Sequence, residues 1–383
     1  MKIEVHNEFP FENPNKWDDL VSENNLYNRS DFLKIIFKSN IEDSKILFGT
    51  VTDEDKLIGT CVWSVFNVNL DLMVDEPWLQ KILKKTASFS KVKMLVLGTP
   101  ISLGQSNLCI PQGSENEKKV WNLILDKSND LAQELGVSML CAKEFKADEI
   151  NGEYLEKNGF LEANSLPFYT LDLKWDTYSQ YLKSLKHSYR RNINKSLIKL
   201  SETAQGWYDE PTKGDFNELY FDSIRNICTD ELHNLYLSVI SRAEVVLEVL
   251  PKAFFENLKS NLGEDIQCIC FKHKGDLISA ALVWPSKDAL HWMLLGRSND
   301  SNNLDTYKNT LNAVISLAIH MGKKRVYLGQ TSSHIKRQVG GVPTDVKLWM
   351  KSKKPLVQYL LRVLLNKIFP EYNEKAYNVF KST

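Results

Sequence analysis

The chain has 383 residues, of which 43% are apolar and 10% aromatic, and it carries 48 Lys plus Arg against 48 Asp plus Glu. A single core rarely grows past about 250 to 300 residues, so two domains are expected. With no net charge there is no global field to hold the chain on nucleic acid, which disfavours obligate DNA or RNA binding while leaving room for a local basic face.

Hydrophobic period yields an ordered series of elements. Lys45 to Val51 and Leu57 to Phe66 read as strands joined by the polar turn Thr52 to Lys56, and a third strand runs from Val92 to Leu97. Ser114 or Asn116 caps a helix that runs to Leu135 and stops at Gly136. A buried strand from Val137 to Ala142, a short helix from Glu153 to Asn158 and a strand from Pro167 to Leu173 follow.

From Asp176 as N-cap, a helical face carries Tyr178, Tyr181, Leu182, Leu185 and Tyr189, while Lys183, Lys186, His187, Arg190, Arg191, Lys195 and Lys199 crowd the remainder. Such a basic face either attracts phosphate or carboxylate or is a solvated surface.

The second half then repeats the first. A helix after Pro251 leads to a three-strand meander, Ile266 to Phe271, Leu277 to Trp284 and Ala289 to Leu295. Leu311, Val314, Ile315, Ala318 and Ile319 follow the helical rule up to Gly322, Arg325 to Leu328 is a buried strand, and Asp345 to Met350 closes the unit. The predicted boundary separates 1–170 from 171–383, the latter including an amphipathic helix, Leu356 to Phe369. This helix either packs on the domain or lies on a membrane surface as a peripheral contact.

The N-terminus lacks the apolar stretch of a secretory signal, and no run of apolar residues is long enough to span a bilayer, so a cytoplasmic protein is expected. Cys61, Cys109, Cys141, Cys228, Cys268 and Cys270 form no C-x-x-C pair. They are expected to be reduced and structural, and no metal site is expected.

The string Tyr181-Leu182-Lys183-Ser184-Leu185, then Tyr189-Arg190-Arg191-Asn192-Ile193, together with Gly329-Gln330-Thr331, Lys336 and Gly340, resembles the Fem-like branch of the GNAT acyltransferases. The resemblance covers roughly Ile46 to Met350. It implies an α/β fold with mixed sheets built as tandem GNAT units, related to the peptidoglycan-bridge aminoacyltransferases, with the transfer site in the second unit. It also implies attack of an amine on an activated acyl group. One junction departs from the acyl-CoA pattern: Gly296 to Asp305 lacks the glycines that cradle a pyrophosphate at a helix N-terminus. Acyl-CoA or another acyl thioester is the expected co-substrate, with no tightly bound cofactor. Carrier protein and aminoacyl-tRNA stay open as donors, tRNA being disfavoured by the neutral charge.

Amide formation needs a neutral amine, a polarised carbonyl and a route for a proton, with no nucleophilic triad. The run from Gly329 to Arg337 leaves the carboxyl end of a buried strand, where open sheets expose ligand sites. Gln330, Thr331 and Ser332 can meet a substrate there, and Lys336 one turn later can supply positive charge to the donor or the oxyanion. The alternative is a helix capped by Thr331 or Ser332 with a solvated Lys336. His291 or Tyr307 is the candidate proton acceptor. Lys308 contacts a donor phosphate or water, and Tyr189, Arg190 and Arg191 contact substrate or donor. The expected partners are a small-molecule amine acceptor and an acyl donor, and not DNA.

Overall fold

The computed structural model describes residues 1–69, 91–111, 113, 115–146, 152–214, 218–243, 246, 248–299, 303–372 and 374–382. Ser114, one of the two expected helix caps, lies outside them. The other, Asn116, precedes the helix Glu117–Glu134 but makes no side-chain capping bond.

The chain divides into two compact units. The first comprises 1–166, 245–254 and 345–373, and the second 167–244, 255–344 and 374–383. Neither is a continuous half of the sequence, so the expected boundary at 170/171 is replaced by an exchange of segments.

In the first unit, β1 (Lys2–His6), β2 (Lys45–Asp53), β3 (Lys56–Asn69) and β4 (Lys91–Leu97) pair antiparallel in that order. The two-residue β5 (Leu108–Cys109) adds to β3. β6 (Met139–Lys146) then pairs parallel to β4. A parallel neighbour needs a crossover, and the helix Glu117–Glu134 supplies it, burying Val120, Trp121, Ile124 and Leu125 against the sheet. Beyond β6 lies β15 (Val346–Ser352), antiparallel both to it and to β7 (Leu161–Asn164). On the opposite face of the sheet, Val357, Leu361 and Leu365 of the C-terminal helix Pro355–Ile368 pack on Met94, Val96, Leu348 and Met350.

The second unit repeats the plan. β9 (Leu219–Ser223), β10 (Gln267–His273), β11 (Asp276–Pro285) and β12 (Ala289–Arg297) are antiparallel, and β13 (Arg325–Gly329) is parallel to β12 across the crossover helix Thr306–His320. β8 (Phe168–Asp172) flanks β13, and β14 (Val342–Thr344) flanks β8. Thus β15, expected to close the second unit, completes the first sheet, whereas β8, expected to end the first unit, completes the second. Both segments alternate apolar and polar as strands must, but alternation says nothing about which edge they join.

Two helical expectations are corrected. The helix Thr306–His320 buries every residue from Asn309 to Ile319 rather than one stripe. Its polar positions are satisfied from a second layer: the Tyr178 hydroxyl donates to Asn312 at 2.8 Å, Asn309 donates to the Ser196 carbonyl at 3.0 Å, and Ser316 donates to the Tyr208 carbonyl at 2.6 Å. The basic helix expected from Asp176 to Lys199 is two helices, Tyr178–Ser184, capped by Thr177 rather than Asp176, and His187–Leu197. They part where the C-terminal segment pairs with the chain: Lys186 N–H donates to Val379 and Lys381 N–H donates to Ser184.

Gly340 marks how closely that segment packs. It holds φ at 96°, and a Cβ there would overlap the Phe380 ring. Gly340→Ala is therefore expected to lower unfolding free energy by about 1–3 kcal/mol in urea titration, combining overpacking with backbone strain.

Candidate active site

The parallel pairing of β12 and β13 is short. Ala289 meets Arg325, Leu290 meets Val326 and His291 meets Tyr327, and there it stops, although β12 continues to Arg297 along β11. At the same level β12 bulges at Met293, since Leu282 and Val283 pair with Leu294 and Trp292, and β13 skips Leu328 in its pairing with β8. Two irregular strands thus diverge at their carboxyl ends and leave an opening in the sheet, the place bulges commonly serve.

The chain leaves β13 through a tight turn. Gly329, Thr331 and Ser332 have φ of 73°, 36° and 53°. A β-branched threonine in this region is strained, at about 1–3 kcal/mol, and such strain concentrates where a fold over-determines a functional turn. The turn opens the helix Ser333–Gln338, whose inward face carries Lys336.

Lys336 is not solvated, contrary to the alternative above; it is only 3% exposed. Its Nζ donates to the Gln330 carbonyl and lies 5.8 Å from the centre of the Trp292 ring and 5.9 Å from that of Tyr169. The aromatic faces attract the cation but do not replace water, and burial lowers its pKa to about 7.

Around it stand groups of known polarity. Tyr307 packs on Trp292 at 5.7 Å, and burial raises its hydroxyl to about 12 against a hydrogen bond with Ser332 and the charge of Arg297. Tyr307 is therefore a proton donor at neutral pH rather than the expected acceptor. The Tyr169 hydroxyl donates to Glu374, which also faces Arg337 at 3.4 Å. Burial, then the Glu374 hydrogen bond, pushes the Tyr169 pKa up.

Lys336, Gln330, Ser332 and Tyr307 come together, with Thr331 exposed on the rim. His291 does not join them. Strand alternation puts Leu290 and Trp292 in the core that faces the crossover helix and His291 on the other face, where its ring stacks on Tyr327 at 4.4 Å. Tyr189 and Lys308 line a small pocket with Ile335, Gln338 and Val339 on another side of the Lys336 helix. Lys308 lies 4.0 Å from Asp305, which also pairs with Lys199 at 2.9 Å. Arg190 and Arg191 surround a separate surface depression with His187, Asn194 and Lys195. Of the junction from Gly296 to Asp305, residues 300–302 lie outside the described structure.

Tyr169, Trp292, Arg337 and Glu374 escaped the sequence reading. Trp292 adjoins a named candidate, but Glu374 is 205 positions from Tyr169 and no local pattern links them.

The profile of the FemAB-like family, described as peptidoglycan biosynthesis/recognition, matches residues 12–362. The chain belongs to the FemAB-like family. Among solved structures, this FemAB-like chain is similar to FemX at 10% identity, covering 93% of this chain and 99% of that one with a TM-score of 0.53. A tandem GNAT protein from the clavulanic acid biosynthesis pathway gives 10% identity, 92% and 99% coverage and 0.53. A conserved protein of unknown function from Bacteroides thetaiotaomicron VPI-5482 gives 10%, 92% and 100%, and 0.52. At this identity the likeness establishes the fold, a tandem pair of GNAT units. No curated protein matches the chain. The family is a peptidoglycan-related, GNAT-fold acyltransferase family.

The burial of Lys336 has a thermodynamic signature. Its folded pKa, about 7, lies below the 10.5 of the free side chain. Below pH 7 both states hold the proton and the penalty is fully present. Between the two values the unfolded chain binds a proton that the folded one does not, so stability rises with pH. Lys336→Met is expected to stabilise the fold at pH 6, and its advantage should shrink by about 1.4 kcal/mol per pH unit above 7. Denaturant titration of both proteins from pH 6 to 10 measures this, and parallel curves would refute the burial argument.

Proposed function

We propose that the second unit forms an amide by transferring an activated acyl group, an acyl thioester in the first instance, to an amine at the opening beside Lys336. The observation that supports this most is the lone buried Lys336, held between two aromatic rings and lowered to about pH 7 by burial.

In the reaction the amine nitrogen attacks the acyl carbon, a C–N bond forms, the C–S or C–O bond breaks, and one proton passes from nitrogen to the leaving group. Negative charge gathers on the carbonyl oxygen in the tetrahedral state. A cation in a dry site stabilises that charge far more than one in water, and the oxyanion in turn raises the lysine pKa, keeping the proton on Lys336 when it matters. The interaction exists only in the transition state, which is the condition for raising turnover. Tyr307, protonated to about pH 12, gives a proton to the leaving group and recovers one from the amine.

A second reading keeps the site and takes aminoacyl-tRNA as donor. The depression ringed by Arg190, Arg191 and Lys195 favours it, because these side chains suit phosphate. Native mass spectrometry of the purified protein separates the two: retained CoA species support the thioester, and retained tRNA, lost in Arg190→Gln/Arg191→Gln, supports the alternative.

With the donor so chosen, Lys336→Met is expected to lower turnover about a hundredfold. The wild-type kcat/KM should fall as pH rises through about 7, as Lys336 loses its proton, and this limb should vanish in Lys336→Arg, which stays charged. Turnover unchanged in Lys336→Met would remove the lysine from the mechanism.

A further inference from the structure

The C-terminal helix Pro355–Ile368 is apolar on two sides. One side, Val357, Leu361 and Leu365, packs on the first unit's sheet. The other is a second stripe at helical spacing, in which Leu356, Tyr359, Leu360 and Val363 remain 73%, 63%, 45% and 51% exposed. Scattered exposed apolar residues are ordinary, but four on one helical line, at i, i+3, i+4 and i+7, are a surface built to be covered. The helix is also anchored in its orientation, because Gln358 donates to the Gly159 carbonyl at 2.8 Å and accepts from the Ser352 N–H at 2.7 Å. Rotation that would hide the stripe breaks these bonds.

The charge around the stripe is of one sign. Residues 351–370 contain Lys351, Lys353, Lys354, Arg362 and Lys367 and no Asp or Glu, in a chain whose total charge is zero. Lys353 and Lys354 precede the stripe, Lys367 falls in line with it beyond Val363, and Arg362 flanks it. All four are exposed. We propose that this face docks the protein on a bilayer surface rich in anionic lipid, the apolar stripe entering the headgroup boundary and the cations meeting the phosphates.

The geometry fits that occupant. A helix of 14 residues is too short to cross a bilayer, and among the described residues no helix is long and apolar enough to do so. An amphipathic helix lying in the interface instead needs an apolar face with cations at its margins, and the attraction of each cation fades within a Debye length of the surface. A second copy of the chain fits less well: two-fold pairing through the stripe would set Lys353 and Lys354 of one copy toward Lys367 of the other, so like charges would meet. The proposal is independent of the chemistry assigned to Lys336.

Co-sedimentation of the full chain with vesicles tests it. Binding is expected to vesicles of phosphatidylcholine mixed with phosphatidylglycerol, to be weak on phosphatidylcholine alone, and to fall with added salt. Leu356→Asp/Leu360→Asp should lower the bound fraction on the mixed vesicles at least about tenfold, because both positions are exposed and the charge opposes insertion. Lys353→Gln/Lys354→Gln/Arg362→Gln/Lys367→Gln should abolish the preference for anionic vesicles, and Tyr359→Trp should shift its emission to the blue on binding. Wild-type protein that stays in the supernatant with mixed vesicles, or variants that bind as well as it does, would overturn the proposal. So would a concentration-dependent dimer that dissociates in Leu356→Asp/Leu360→Asp while no vesicle binding occurs, which would assign the stripe to a second copy.

Discussion

The candidate site depends on where a parallel strand pair stops. β12 and β13 share three residue pairs and then diverge, leaving backbone and space unclaimed at their carboxyl ends. Everything placed there follows from that divergence: the left-handed turn through Thr331 and Ser332, the short helix that turns Lys336 back toward the opening, and the rings of Trp292 and Tyr169 that line it. A continuous ladder would have spent these backbone groups on hydrogen bonds and left no room for a side chain.

Lys336 is then a local sacrifice of stability for charge at a chosen point. Removing an ammonium from water without a carboxylate beside it is unfavourable, and proteins relieve the penalty by lowering the pKa. The neighbouring Glu374 is instead engaged by Tyr169 and Arg337, so it does not neutralise the lysine. The C-terminal segment that carries Glu374 also pairs with the chain at Ser184 and Lys186 and buries Val379, which makes the last ten residues part of the second unit's framework.

The tandem plan shows how the same local code builds two sheets. Each unit has an antiparallel meander, a crossover helix and a parallel strand, and each is completed by a strand from the other half of the sequence. In the first unit the sheet is covered on its second face by the C-terminal helix, which explains why that helix has an inward apolar side. Its outward apolar side has no such explanation within the fold.

By itself the sequence determined the elements whose cause is local. Period two placed the meanders, period 3.6 and the glycine stops placed the crossover helices, and the turn at Gly329 with Lys336 one helical turn on was legible because strand ends and helix starts have their own residue preferences. The repeated order and the family resemblance followed from those elements. Only the tertiary structure decided the edges to which β8 and β15 belong, the break at Leu185 imposed by Phe380, and the face on which each strand residue looks. The last of these removed His291 from the site and brought in Trp292, its neighbour. Glu374 and Tyr169 entered for the same reason: their contact spans most of the second unit's sequence, and no period or cap encodes a partner at that distance. The ionisation of Lys336 and Tyr307 also lies beyond sequence reading, because burial sets it and burial is a property of the packed chain.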